Sequence, residues 1–231
     1  MKDFVFNVNT KILFGKKSVE KIGRELKDRG VKHVLFCYGG GSIKRNGLYD
    51  RIVSILKEEG IDFCELSGIK PNPRIESVRE GVKISRENNI DFILAVGGGS
   101  TIDCAKAIAA GIHYEGDPWD LVINKAPIKA ATPIGAVLTL AATGSEMDPF
   151  GVITNPETKE KLGLSSQLVL PVFAVMDPTV TYTLPQKQTM AGIADIMSHT
   201  MENYFSKEED CYLQDKFAEG ILKTCIKYAR V

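Results

Sequence analysis

Continuous apolar runs alternate along this chain with stretches whose apolar residues recur every three or four positions. The runs at 31–38, 61–66, 92–96, 134–140 and 172–176 predict buried strands. The periodic stretches at 18–28, 47–59 and 75–88 predict amphipathic helices. Val19, Ile22 and Leu26 face inward in the first, and Val78, Val82 and Ile84 in the last. Residues 4–14 alternate well enough for one or two strands, with a hairpin as one option. Helices between successive buried strands mean a parallel sheet with right-handed crossovers, an α/β fold. Asp117 to Leu121 begin a short helix or turn. Residues 151–154 and 161–164 flank Asn155-Pro156-Glu157-Thr158 and predict a hairpin. After Leu184-Pro185 the pattern changes to two long helices, 186–205 and 210–228. This divides the chain into an α/β domain, 1–183, and the start of an all-helical domain, 184–231.

Two strands end in the same device. Val34-Leu35-Phe36-Cys37-Tyr38 runs into Gly39-Gly40-Gly41-Ser42, and Ile93-Leu94-Ala95-Val96 runs into Gly97-Gly98-Gly99-Ser100. In a parallel sheet both turns lie at the carboxyl edge, where ligands bind near a switch in strand order. Ser100 reads as the N-cap of the next helix, so free backbone N–H groups and the positive end of the helix dipole face the turn and make an anion site. The glycines let a phosphate approach without meeting a Cβ. One turn suits the pyrophosphate and the other the adenosine ribose of a dinucleotide, although neither is the G-x-G-x-x-G fingerprint. A tight turn without a ligand is the alternative. A third loop of small polar residues follows the strand at 134–140. Thr139, Thr143 and Ser145 offer hydroxyls there to a ribose, phosphate or carboxamide, or simply cap a helix.

Charge narrows the function classes. Lys plus Arg and Asp plus Glu each number 29, which argues against nucleic-acid or polybasic membrane binding. With 231 residues, 44% of them hydrophobic, the chain can bury one or two cores. No apolar run is long enough for a signal peptide or a membrane span. The five cysteines form no C-x-x-C pair and read as reduced thiols of a cytoplasmic protein.

The first long helix carries Asp195 and His199. Their i, i+4 spacing puts a carboxylate and an imidazole on one face, a turn apart, where they either hydrogen-bond to each other or share a divalent metal. Spacing alone favours the hydrogen bond. Glu202 lies on the same side as an outer group. His33 and His113 have no ligand-like spacing and read as structural.

Several motifs in order, AVGGGSTID (95–103), LTLAATGSE (138–146), KEKLGLSS (159–166), FAVMDPTVTYTLP (173–185) and GIADIMSHTMENY (192–204), resemble the iron-containing, or group III, alcohol dehydrogenases. YGGGSIKRNG (38–47) and IKPNPRIE (69–76) resemble in particular the NADPH-preferring butanol dehydrogenase and aldehyde reductase branch. The likeness implies a dinucleotide-binding α/β domain followed by a helical metal domain, with the active site in the cleft between. Gly98, Gly99 and Ser100 would hold the pyrophosphate and Asp103 would anchor the turn. Gly39, Gly40, Ser42 and Pro71 would complete the nucleotide site, and Thr139, Thr143, Ser145 and Lys161 would line its ribose and nicotinamide end. Asp195 and His199 would be metal ligands, for iron or zinc, and the metal would assist hydride transfer between NADP(H) and a primary alcohol or aldehyde. No side chain stands out as a general base.

Lys44 and Arg45 follow the first glycine turn, with no acid nearby in sequence to take a ribose 2′-hydroxyl. This predicts NADP(H) in preference to NAD(H). The family supplies two further histidine ligands from later helices, which this chain does not contain. The helix at 210–228 also keeps an apolar face (Phe217, Ile221, Leu222, Cys225, Ile226) without a stop signal, so the chain reads as the front part of a longer enzyme. A nucleotide-binding fragment without catalysis, or a non-redox relative resembling dehydroquinate synthase, are the alternatives. The resemblance and the strand pattern at 4–14 suggest a homodimer.

Overall fold

A computed structural model describes Val5, residues 7–207 and residues 211–229. The chain divides into two compact units, Met1–Thr139 with Gly144–Tyr182, and Leu140–Thr143 with Thr183–Val231.

The first unit is built on a six-stranded parallel sheet. Its strands are β1 (Lys11–Phe14), β2 (His33–Tyr38), β3 (Asp62–Leu66), β4 (Phe92–Gly97), β5 (Ile134–Leu138) and β8 (Phe173–Met176), in the order β1-β8-β5-β4-β2-β3. The hairpin strands β6 (Phe150–Asn155) and β7 (Glu160–Ser165) pair antiparallel in a separate sheet, in register from Phe150↔Ser165 to Asn155↔Glu160. Helices α1 (Ile22–Lys27), α2 (Ser42–Arg45), α3 (Leu48–Glu58), α4 (Ile75–Glu87), α5 (Gly99–Gly111) and α6 (Trp119–Val122) complete the unit.

Alternate residues of the central strands face opposite cores. Leu35, Cys37, Ile93 and Ala95 pack with α4 and α5, while Val34, Phe36, Leu94 and Val96 pack with α1 and α3. Both faces are covered, which is why these strands are continuous apolar runs rather than alternating ones. Cys37 and Cys104 serve as small core residues, and burial pushes the Cys104 thiol up to about 12.

Eleven of the thirteen residues of α5 are buried. The sheet lies on one side of this alanine-rich helix and the β6–β7 hairpin packs on the other, so it has little polar face to present.

Two expectations are corrected. Among the described residues of 4–14 there is one strand, Lys11–Phe14, one of the two expected options, but it pairs parallel with β8 rather than in a hairpin; Phe4 and Phe6 lie outside the described residues. Ser100 is not the N-cap of α5. Gly98 holds that position and Ser100 lies within the first turn.

Glu25 ties β1 to α1. Its carboxylate is 4% exposed and accepts from Lys11 Nζ at 2.5 Å and Arg29 Nη1 at 2.8 Å. Burial alone pushes the carboxyl up, but the hydrogen bonds and charges of Lys11 and Arg29 outweigh it and hold it below the ordinary value. The folded pKa is therefore below the unfolded one. The contribution is complete above pH 4.5 and fades as the pH falls through the folded value. Glu25→Gln is expected to cost about 1–2 kcal/mol at pH 7 and much less at pH 3, read from urea unfolding midpoints. An equal loss at both pH values would contradict this account.

The second unit contains α7 (Gln186–Tyr204) and α8 (Tyr212–Tyr228), which pack against each other. A Cβ on Gly192 would stand 2.6 Å from the Ala141 carbonyl, so α7 lies close against the 140–143 segment of its own unit. Phe217, Ile221 and Ile226 of α8 are 64%, 45% and 57% exposed. No helix among the described residues is long and apolar enough to cross a membrane.

Candidate functional site

The strand order reverses between β2 and β4. The chain leaves β2 for β3 on one side, then crosses to β4 on the other, so the crevice beyond these two strands is a topological switch point. β2 and β4 pair with Tyr38 opposite Val96, which sets the Gly39 and Gly97 turns side by side. Thr101, in the first turn of α5, joins them. Its Oγ1 stands 2.4 Å from where a Cβ on Gly97 would lie and 3.8 Å from one on Gly39.

None of Gly97, Gly98 and Gly99 has a positive φ. At Gly97 the need for glycine is one of space, because the Thr101 side chain occupies the place of a Cβ. The chain thus turns directly from β4 into a 13-residue helix with no acidic residue in its first turn and no side-chain cap. The first-turn N–H groups of α5 and its dipole face the crevice, as an anion requires.

Three further segments close around this turn. The backbone N of Asn72 donates to Ser100 Oγ at 3.3 Å, and Lys161 Nζ on β7 donates to Asn72 Oδ1 at 2.7 Å. Asn72, with φ of 55°, therefore brings together three residues expected at the site: Pro71 beside it, Ser100 and Lys161. Sequence reading missed Asn72 itself, although an asparagine between two prolines signals a special backbone. The backbone N of Thr139 donates to the Gly97 carbonyl at 3.0 Å, which places the start of the third loop beside the turn. Gly40 and Ser42 are exposed, Gly39 is half-buried, and the Gly39 carbonyl accepts from Gly68 N at 2.9 Å. Thr143 is exposed and belongs to the second unit.

Asp103 and Ser145 lie beneath the site rather than in it. Ser145 is 2% exposed, and its hydroxyl donates to Asp103 Oδ1 at 2.6 Å. The other Asp103 oxygen accepts from Val152 N on β6 at 3.0 Å. Burial raises the Asp103 carboxyl above its ordinary value, against the opposing hydrogen bonds of Ser145 and Val152 and the charge of Lys106.

Lys106, which sequence reading passed over, is fully buried on α5. Its ammonium reaches Ser145 Oγ at 2.9 Å, the Asp148 carbonyl at 2.8 Å, Asp148 Oδ1 at 3.0 Å and the Phe150 carbonyl at 2.6 Å. A lysine among the alanines of a helix with little polar face was the available signal. Burial draws its pKa down, and Asp148 chiefly opposes this. Together Asp103 and Lys106 fasten the 145–150 loop and the hairpin carrying Lys161 to the helix whose N-terminus faces the crevice.

At the end of β2, space supplies the acid that sequence proximity did not. Glu65, on neighbouring β3, accepts hydrogen bonds from the hydroxyls of Tyr38 and Tyr49, the latter at 2.6 Å. Lys44 Nζ stands 4.0 Å from Glu65 Oε2 and 4.5 Å from the centre of the Tyr49 ring. Arg45 is exposed beside them.

In the second unit, His199 Nε2 and Asp195 Oδ1 are 3.8 Å apart on one face of α7, both partly exposed. Among the described residues no group of three or more His, Cys, Asp or Glu side chains converges to hold a metal, and Glu202 is exposed. A catalytic divalent metal needs three or four protein donors. Two side chains fall short of such a set and do not by themselves fit one. His113 is structural, with Nε2 3.1 Å from Thr132 Oγ1.

Comparison with known proteins gives a consistent result. The sequence model described as "Iron-containing alcohol dehydrogenase" matches residues 9–178. NADH-dependent butanol dehydrogenase A of Clostridium acetobutylicum is 56% identical over 231 residues, covering 100% of this chain and 59% of its own length. NADPH-dependent aldehyde reductase YqhD of Escherichia coli K12 is 44% identical over 230 residues, covering 98% of this chain and 58% of its own. The crystal structure of NADH-dependent butanol dehydrogenase A from Thermotoga maritima superimposes with a TM-score of 0.95 at 48% identity, over 100% of this chain and 57% of that one. The chain thus spans about 59% of the length of the clostridial relative. With the family's sequence model matching most of the α/β unit and its fold reproduced in a solved relative, this chain belongs to the iron-containing alcohol dehydrogenase family.

Proposed function

We propose that this chain supplies the nicotinamide-dinucleotide site of an oxidoreductase that moves a hydride between NAD(P)(H) and a primary alcohol or aldehyde. One observation carries the reading. Two glycine turns lie side by side at the switch point, bridged by Thr101, with the N-terminus of a buried helix facing the crevice. Gly98, Gly99 and Ser100 take the pyrophosphate. Gly39, Gly40 and Ser42 take the adenosine ribose. Pro71, Thr139 and Lys161 line the rest, while Asp103 and Ser145 support the turn from beneath.

NADP(H) is the preferred cofactor on charge grounds, because Lys44 and the exposed Arg45 follow the ribose turn. Glu65 is a poor ribose anchor, since its carboxylate already accepts from two tyrosines. The names of the relatives divide on this point, NADH for the clostridial protein and NADPH for the Escherichia coli one.

Asp195 and His199 contribute two donors toward a divalent metal, iron or zinc. The absence of a third donor among the described residues favours a second reading for this chain on its own, nucleotide binding without turnover. Exposed Ile12 and Phe14 on edge strand β1 support a second copy of the chain as partner, and the free thiols of Cys37 and Cys104 fit a cytoplasmic setting.

Fluorescence titration of the 231-residue chain with NADPH and NADH tests the proposal. Saturable binding is expected, with Kd on the order of micromolar and unchanged by added iron or zinc. Failure to bind either nucleotide would sink the reading. Butanal-dependent oxidation of NADPH, with and without metal, then separates the catalytic reading from the binding one.

A further inference from the structure

Lys44 is clasped rather than free. Tyr38 and Tyr49 present their ring faces to its ammonium, at 5.3 and 4.5 Å from the centroids. Both tyrosine hydroxyls donate to Glu65, and Glu65 Oε2 stands 4.0 Å from Lys44 Nζ. Burial alone raises the Glu65 carboxyl, but the two tyrosine hydroxyls and Lys44 outweigh it, so Glu65 is ionised at neutral pH. Tyr38 is the last residue of β2, directly before the Gly39 turn. The end of β2 therefore carries two cations and one fixed carboxylate, not two cations alone.

We infer that Glu65 is a specificity-determining residue for the cofactor: it opposes Lys44 and holds down the affinity of this site for a ribose 2′-phosphate. The inference rests on the reading that the Gly39 turn receives the adenosine ribose. A 2′-phosphate is drawn to Lys44 and Arg45 and repelled by Glu65, whereas a 2′-hydroxyl is nearly indifferent to all three. Glu65 thus acts on NADP(H) and leaves NAD(H) alone, so it narrows the preference for NADP(H) that Lys44 and Arg45 create. Tyr38 and Tyr49 donate to different oxygens of Glu65, so glutamine at position 65 keeps the shape, accepts from one tyrosine through its oxygen and donates its amide N–H to the hydroxyl of the other; the substitution removes the charge and turns one hydrogen bond round.

Calorimetric titration of the full chain with adenosine 2′,5′-bisphosphate and with 5′-AMP isolates the 2′-phosphate and needs neither metal nor turnover. Glu65→Gln is expected to tighten the bisphosphate about three- to tenfold at low salt and to leave 5′-AMP within about twofold. Lys44→Met is expected to weaken the bisphosphate by a similar factor, again sparing 5′-AMP. A ratio of the two affinities unmoved or lowered in Glu65→Gln overturns the inference. If that variant does not fold, a Lys44→Met variant with unchanged bisphosphate affinity overturns it equally. Failure of the unsubstituted chain to bind either nucleotide would instead bring down the dinucleotide reading, and the role of Glu65 with it.

Discussion

Lys106→Met is expected to lower the unfolding free energy by about 2–4 kcal/mol and to weaken NADPH binding more than tenfold. The ammonium of Lys106 is fully buried and serves four acceptors, two of them backbone carbonyls. Methionine fills the space but donates nothing. The Ser145 hydroxyl loses one donor, and the carbonyls of Asp148 and Phe150 lose theirs. Removing one partner of a buried ion pair costs about 3–5 kcal/mol. The Asp148 side chain is 34% exposed and can recruit water, which lowers the figure. The nucleotide effect follows from what Lys106 fastens. Without it, the 145–150 loop and the hairpin bearing Lys161 lose their tie to α5. Replacing Asp148 by leucine as well is expected to restore part of the stability, because an apolar pair leaves fewer orphaned groups than a broken ion pair. Urea unfolding of the three proteins tests the scheme, and a single-variant loss below about 1 kcal/mol would show that the network contributes little.

The second large effect is expected at Gly97. A methyl there would stand 2.4 Å from Thr101 Oγ1 and 2.8 Å from Thr101 Cβ. Neither atom is the far end of a flexible chain, so the first turn of α5 must move away from β4. Gly97→Ala is therefore expected to cost about 1–3 kcal/mol and to weaken NADPH at least tenfold, since Thr101 also backs the Gly39 turn. Gly40→Ala separates packing from ligand approach. A Cβ on Gly40 meets no protein atom within 4 Å, so stability should hold within about 0.5 kcal/mol even where nucleotide affinity changes. A Gly97→Ala protein with unaltered stability and affinity would refute the packing argument.

The strands of the sheet were legible because burial on both faces makes them uninterrupted apolar runs, and β2, β4, β5 and β8 appear within two residues of their expected ends. The hairpin was legible from its turn residues. The start of α5 was misread because Ser100 satisfies a local capping preference, whereas the observed start is set by Thr101 filling the space beside Gly97. Lys106 and Glu65 were missed for a different reason. Their partners lie on segments distant in the chain, Asp148 for one and Lys44 for the other, and no local pattern announces them. At Asp195 and His199 local spacing placed both side chains on one face, because a helix fixes which residues share a face.

The pairing of β1 with β8 has a consequence for synthesis. Lys11 lies opposite Phe173, and β8 alone joins β1 to the sheet. As the polypeptide grows, β1 emerges early and finds no strand to join until more than 160 further residues have been made. At translation speeds of about 5–20 residues per second, that delay is roughly 8–30 s. Throughout it, Phe14 and the backbone edge of β1 remain open to chaperones or to the nascent chains of neighbouring ribosomes. The strand order thus leaves β1, made well before the rest of its sheet, unsecured until β8 arrives.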